Sequence, residues 1–184
     1  MKICIRNNYI VKDRTTWFDH LNMLYNIGMD IRNPKFICPA NMHGEHQKLI
    51  RKVARINKEK RIAEQKALIA KENPIYQKAK KPFLGMVLSD GMIDLAVLNS
   101  LEEFIEEGEA HHHCIYSSGY YKKENSLIFS ARKGDARLCT VQVKLDTLEV
   151  AQARGLQNKK SEYQDEIIQL IEQNKKKIRK LPGS

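Results

Sequence analysis

The chain has 184 residues, 42% of them hydrophobic and 29% charged, with a formal net charge of +10 and a mean hydropathy of −0.54. That length supports one core, or one core with a helical appendage. No stretch approaches the roughly 20 apolar residues of a membrane-spanning helix, and the opening "MKICIRNNYIVKD" is broken by charge too often to be a signal peptide. Membrane partners are therefore not expected. Four widely spaced cysteines (Cys4, Cys38, Cys114, Cys139) without a CxxC pair indicate neither a disulfide framework nor a zinc ribbon. With the missing leader, they point to reduced thiols and a cytoplasmic setting.

In chain order, Lys2–Ile5 reads as a short strand or irregular arm. Thr15 or Thr16 then caps a helix through "WFDHLNMLYNI" that stops at Gly28. Pro34 and Pro39 make "NPKFICPA" an extended connector. A long helix runs from about Met42 to Glu72 and ends because Asn73 precedes Pro74. Two apolar runs flank Ser89-Asp90-Gly91, a hairpin signal with a tight primed turn. Ser100 and Glu103 have capping-box spacing ahead of "LEEFIEEGEA", a helix that buries Leu101, Phe104 and Ile105.

Three strands follow, "SLIFSAR", "RLCTVQVKL" and "LEVAQARG", turning at Lys133-Gly134-Asp135 and at Asp146-Thr147. The last helix, "EYQDEIIQLIEQNKKKI", faces Ile167, Ile168 and Ile171 inward. The closing "LPGS" receives no structural role. The assembly is α+β: a helical N-terminal part with a long basic helix, residues 1–80, followed by residues 81–184. The latter form an antiparallel sheet of about five strands carrying helices on one face.

Charge is concentrated. Between Lys48 and Lys81 stand twelve Lys/Arg against three acids, an excess of +9 that accounts for nearly the whole net charge. A second cluster, "KKKIRK", spans Lys175–Lys180. Basic stripes suit contact with a phosphate backbone, which singles out Lys48, Arg51, Lys52, Arg55, Lys58, Lys60 and Arg61. The plainer alternative is a solvated helix face.

Four blocks, "EGEAHHHCI", "SLIFSAR", "TVQV" and "AQARGLQN", occur in an order and spacing that resemble the signature of PcfJ-like proteins, found on conjugative plasmids, integrative elements and phages. The matching positions in the first block are Glu107, Gly108, His112, His113, Cys114 and Ile115. Those downstream are Arg132, Thr140, Gln152, Arg154, Gly155 and Asn158. The resemblance implies a PcfJ-like α+β domain over residues 81–184 and an accessory role around DNA transfer. Two positions depart from the pattern. Gln142 stands where the family tends to have an acid, and His111 where it usually has an apolar residue.

Three chemistries are open at these residues. His113 and Cys114 could act as base and nucleophile of a phosphodiesterase-like hydrolase or a transferase. His43 and His46, three apart on a helix, could join His112 or Cys114 around zinc, although "HGEH" is not a zinc-protease pattern; no cofactor or metal is expected. Lastly, His112, His113, Arg132, Gln152, Arg154 and Asn158 could form a pocket for a nucleotide or another phosphate-bearing ligand. Gln152 and Arg154 lie two apart on a strand and so share a face. That polar set could equally be a buried network that fixes strand register.

The expected function is that of a mobile-element accessory protein that binds nucleic acid through its basic helix and a phosphate-bearing ligand in the His/Arg pocket. Alternatives are the hydrolase or transferase above, and a protein-interaction module that inhibits a host defence complex. The partner is accordingly nucleic acid or a host or plasmid protein.

Overall fold

The computed structural model describes residues 2–180, and the chain divides into two compact units, residues 1–66 and 67–184. The closing Leu181–Ser184 lies outside the described residues.

The first unit is helical. Lys2–Arg6 forms a one-turn helix, α1, where a strand or arm was expected. Five residues of alternating character fit either form. Burial of Cys4 and packing of Ile3 against the cluster around Leu24, Ile37 and Leu49 decide for helix. Helix α2, Arg14–Asn26, is capped by Asp13, which precedes both of the expected threonines. The Asp13 carboxylate accepts from the amides of Thr15 (3.0 Å) and Thr16 (3.1 Å), so the threonines lie inside the first turn. Gly28 follows the helix at φ +72°, a left-handed conformation suited to a chain without Cβ.

"NPKFICPA" is not wholly extended. Pro34 starts the short helix α3, Pro34–Ile37, capped by Asn33. Proline at the first helical position loses no hydrogen bond, because that amide would be free in any case.

Helix α4, Met42–Lys80, continues through Pro74 instead of stopping before it. The carbonyl that Pro74 leaves without an intrahelical donor belongs to Ala70, which is exposed, so water can serve it. Contacts on either side of the proline hold the last turns in place. Asn73 Oδ1 accepts from the Leu101 amide (3.0 Å), the Tyr76 hydroxyl donates to the Leu98 carbonyl, and the Tyr76 ring packs edge-on against Phe104.

The second unit is built on a five-stranded antiparallel meander, β1 (Val87–Ser89), β2 (Asp94–Val97), β3 (Ser126–Lys133), β4 (Ala136–Lys144) and β5 (Val150–Arg154), with neighbours in sequence also neighbours in space. The β1–β2 connection is a four-residue loop, since Ser89 pairs with Asp94. Asp90 organises it by accepting from the amides of Met92 and Ile93, both at 2.8 Å. Helix α5, Leu101–His111, is capped by Ser100. Its Glu103 accepts from the amide of Asn99 (2.6 Å), one residue before the position the capping box predicts. Leu101 and Phe104 are buried as expected. Ile105 is only half-buried, and Glu107 is buried in its place.

Helices lie on both sheet faces, not one. Side chains 127, 129 and 131 of β3 and 139, 141 and 143 of β4 pack against Ile167, Leu170, Ile171 and Ile178 of α6, Gln164–Lys180. Ile168 is half-buried, and Leu170 takes the inward place assigned to it. On the opposite face, Ile128 joins Tyr76, Leu98, Leu101, Phe104, Ile115 and Tyr121. Central β3 is consequently buried on both faces through its first six residues, which explains why "SLIFSA" reads as a nearly unbroken apolar run. The second face is apolar near β2 and β3 and becomes polar toward β4 and β5.

Candidate functional site: a polar cleft over β4 and β5

The cleft begins with the way α5 ends. His112 takes a left-handed conformation (φ 51°), and the His113 amide bonds back to the Gly108 carbonyl at 3.0 Å. A Cβ on Gly108 would stand 2.9 Å from the His113 carbonyl oxygen, so this close return needs glycine. The three histidines consequently separate. His111 remains on the inward face of α5, His112 is exposed at the turn, and His113 folds back over the sheet with its ring stacked on His111 (centroids 5.5 Å, 18° between planes). Burial of Ile115 and Tyr121 then ties down the following loop.

Strand alternation provides the floor. Thr140, Gln142, Gln152 and Arg154 project from the polar face, with Thr140 paired to Arg154 and Gln142 to Gln152 across β4 and β5. The Gln152 amide donates to Gln142 Oε1 (3.2 Å) and to the Tyr120 hydroxyl (2.8 Å), while Gln142 donates to Ser126 Oγ (2.8 Å). Together with His112, His113 and Cys114 on one side and Gln157 and Asn158 on the other, these side chains enclose a cleft of ≈ 380 Å³. Among the described residues, the Arg154 guanidinium has no side-chain partner, and no carboxylate lines the cleft.

Behind it lies a buried charged group. Glu107 is fully buried; Oε2 accepts from Arg137 Nη1 (3.0 Å) and Oε1 from the Thr140 hydroxyl (3.0 Å), and His111 Nε2 approaches Oε1 at 3.5 Å. Burial opposes ionisation of Glu107. The proximity and charge of His111, with hydrogen bonds from Ser130 and Thr140, outweigh it and hold the carboxyl below its ordinary value. Thr140 Oγ1 also lies 3.0 Å from His113 Nε2. Burial, followed by the charge of neighbouring His111, pushes the His113 imidazole below its ordinary value, so the neutral ring is favoured.

The structure thus brings His112, His113, Cys114, Gln152, Arg154 and Asn158 around one cleft. Arg132 is not among its lining residues, and its Nε donates instead to Ser130 Oγ at 3.1 Å. Cys114 is exposed. His43 is exposed as well, whereas His46 meets His20 (ring centroids 5.8 Å). Among the described residues no three His, Cys, Asp or Glu side chains gather as a metal-ligand group.

Sequence reasoning left out Glu107, Arg137, Thr140 and Tyr120 as members of the site. Two signals were available: the i, i+4 spacing of Glu107 and His111, and the strand period that sets Thr140 on the face of Gln142.

On the basic helix, Lys48, Arg51, Lys52, Arg55, Lys58, Lys60 and Arg61 are all exposed. Lys48, Arg55 and Lys60 form exposed ion pairs with Glu45, Glu59 and Glu64. Arg51, Lys58 and Arg61 have no carboxylate partner among the described residues, and helical periodicity places them within about 80° of one another around the axis. Lys80, counted in the same stripe, is buried, with its ammonium bonded to the carbonyls of Lys123 (3.1 Å) and Glu124.

The fold and the cleft define an α+β protein with a polar, arginine-bearing cleft over the last two strands of a meander. The model of the PcfJ-like protein family matches residues 16–168, and the chain belongs to that family. No curated protein and no solved structure gives a significant match to the chain. Among the described residues, no helix is long and apolar enough to cross a membrane.

Proposed function

We propose that the protein is an accessory factor of a mobile genetic element that binds nucleic acid through α4 and holds a phosphate-bearing group in the cleft. The observation that carries this reading is Arg154, a guanidinium without a carboxylate partner among the described residues, in a cleft whose other polar members are imidazoles, amides and hydroxyls. A planar guanidinium beside amide donors suits phosphate oxygens, because it forms two directed, charge-assisted bonds at once. Arg51, Lys58 and Arg61 add a sequence-independent contact with the phosphate backbone.

The test is titration of labelled single- and double-stranded DNA and RNA across a salt series, with AMP and inorganic phosphate titrated calorimetrically. Affinity for nucleic acid should fall steeply with salt, and replacing Arg51, Lys58 and Arg61 by alanine should reduce the slope by roughly 3. Arg154→Ala should weaken AMP binding by about tenfold or more, the loss of a charge-assisted pair. Absence of salt-sensitive binding at low ionic strength would refute the nucleic-acid contact.

A second function class has its own observation. Phe18 and Tyr25, seven apart on α2, are 61% and 70% exposed, an aromatic pair suited to a protein partner. Under that reading, binding to a host or plasmid protein would be lost in Phe18→Ser/Tyr25→Ser, while the salt-dependent nucleic-acid titration stayed unchanged.

A further inference from the structure

Within the first unit, helix α4 turns one stripe of side chains toward α2 and α3. Glu45, Lys48, Leu49 and Lys52 follow one another at the helical spacing of three and four, so they share a face. Across from them stand His20 and Leu24 of α2, Met29 just beyond the left-handed Gly28, and Lys35 and Phe36 of α3. Together they line a crevice of ≈ 180 Å³, separate from the cleft over β4 and β5.

Its lining divides by exposure. Leu24 and Leu49 are buried and Met29 and Phe36 half-buried, which makes the interior apolar, and His20 is fixed in the wall by the 2.9 Å bond from Nε2 to the Phe36 carbonyl. The three lysines are exposed. Lys48 pairs with Glu45 at 2.7 Å, which offsets the one acid in the lining. Lys35 and Lys52 have no carboxylate partner among the described residues, and the Lys52 ammonium stands 3.8 Å from the Met29 sulfur. Helical periodicity sets Arg51 and Arg55 within about 100° of Lys48 and Lys52 around the axis, so the basic stripe of α4 runs past the crevice.

An apolar interior with a cationic rim fits a ligand that is a flat, uncharged ring at one end and anionic at the other. The volume is below the roughly 300 Å³ at which pockets for drug-sized molecules begin, so there is room for one ring system and not for a whole nucleotide. A nucleobase has that form: the ring can leave water while its phosphates stay outside against lysine and arginine. In a duplex the ring is paired and stacked, so only an unpaired base can enter. We propose that the crevice takes an unpaired base of a single strand, with Lys35, Lys52 and the adjoining Arg51 and Arg55 on the flanking phosphates. This rests on the nucleic-acid reading of α4 and assigns the strand form that the helix binds.

Fluorescence anisotropy on the full chain tests it with three labelled probes of equal length: an oligothymidylate strand, the same strand with abasic sugars throughout, and the duplex of the first with oligoadenylate. At fixed salt the intact strand should bind about tenfold more tightly than the abasic one, the scale of one stacked base, and more tightly than the duplex. Met29→Trp, which fills the crevice without changing its charge, should bring the intact strand down to the abasic affinity at an unchanged salt slope. Lys35→Gln/Lys52→Gln should lower the slope by roughly 1.4, two single-strand contacts, and keep the discrimination between intact and abasic strands. Arg154→Ala should keep it too, which separates the crevice from the cleft. A second measurement needs no variant: irradiation with a strand bearing 5-iodouracil should cross-link Met29 or Phe36, as read by peptide mass spectrometry. Equal affinity for intact and abasic strands, a preference for the duplex, discrimination that survives in Met29→Trp, or cross-links confined to other residues overturns the inference and leaves α4 a backbone contact alone. No salt-sensitive binding of any probe sinks the nucleic-acid reading beneath it.

Discussion

Glu107 shows how much one residue can organise when it is buried with its donors already in place. It meets Arg137, Thr140, Ser130 and His111, so removing its charge leaves the Arg137 guanidinium, whose side chain is only 24% exposed, with the more exposed Glu106 as its remaining carboxylate partner. Glu107→Gln should destabilise the second unit by about 3 kcal/mol at neutral pH, as breaking a buried pair does. The pH dependence follows from the same shifts. Glu107 has a depressed folded value, so its contribution is complete above roughly 4.3, the ordinary carboxyl range, and disappears as pH falls through the folded value. His20 and His113 are also depressed, first by burial. Below about 6.5 the unfolded chain takes their protons first, and stability declines from there downward. Urea unfolding across pH should therefore show a plateau above neutrality and two descending limbs, of which Glu107→Gln flattens only the lower.

Elements carry the site through their ends. α5 stops where it does because Gly108 lets the chain pass back over its last turn, and that reversal puts His113 over the sheet while His111 faces inward. Gly108→Ala would place a Cβ 2.9 Å from the His113 carbonyl oxygen. The roughly 1 kcal/mol that alanine gains over glycine inside a helix is smaller than the cost of moving that backbone, about 1–3 kcal/mol by analogy with overpacking. A modest net loss of stability should therefore accompany weakened AMP binding, measured by thermal unfolding and calorimetry on one sample. α4 makes the converse point. Proline preceded by asparagine normally marks a helix end, but Asn73 bonds to the start of α5, and Tyr76 and Lys80 bond to loop carbonyls at Leu98 and Lys123. Tertiary contacts outweighed one missing backbone bond.

At the scale of the whole molecule, the last turns of α4 belong to the core of the second unit, because Tyr76 is buried between Leu98 and Phe104. A fragment of residues 67–184 should fold cooperatively. One starting at residue 81 should lose several kcal/mol, as deletion of a buried aromatic alone costs roughly 3–5; chemical denaturation of the two fragments checks this. The α+β class, the five strands, α5, α6 and the family were legible in the sequence. Strand alternation, Ser100, Gly134 and the Glu107–Asn158 blocks each state a local preference that the fold obeys. Local signals failed where distant contacts decided between near-equal conformations. "KICIR" became a helix through burial of Cys4, "NPKFI" turned at Pro34, and the helix crossed Pro74.

The histidine cluster divides the same way. Sequence by itself determined that His112, His113 and Cys114 stand between an acidic helix and a set of polar strands, because those are properties of order and period. Only the tertiary structure decided that Thr140 bridges His113 to Glu107, that Arg154 shares their cleft, and that Arg132 does not. Those outcomes depend on where a chain reversal at Gly108 sets three successive rings against strands about 30 to 40 residues downstream, a distance that no local periodicity encodes.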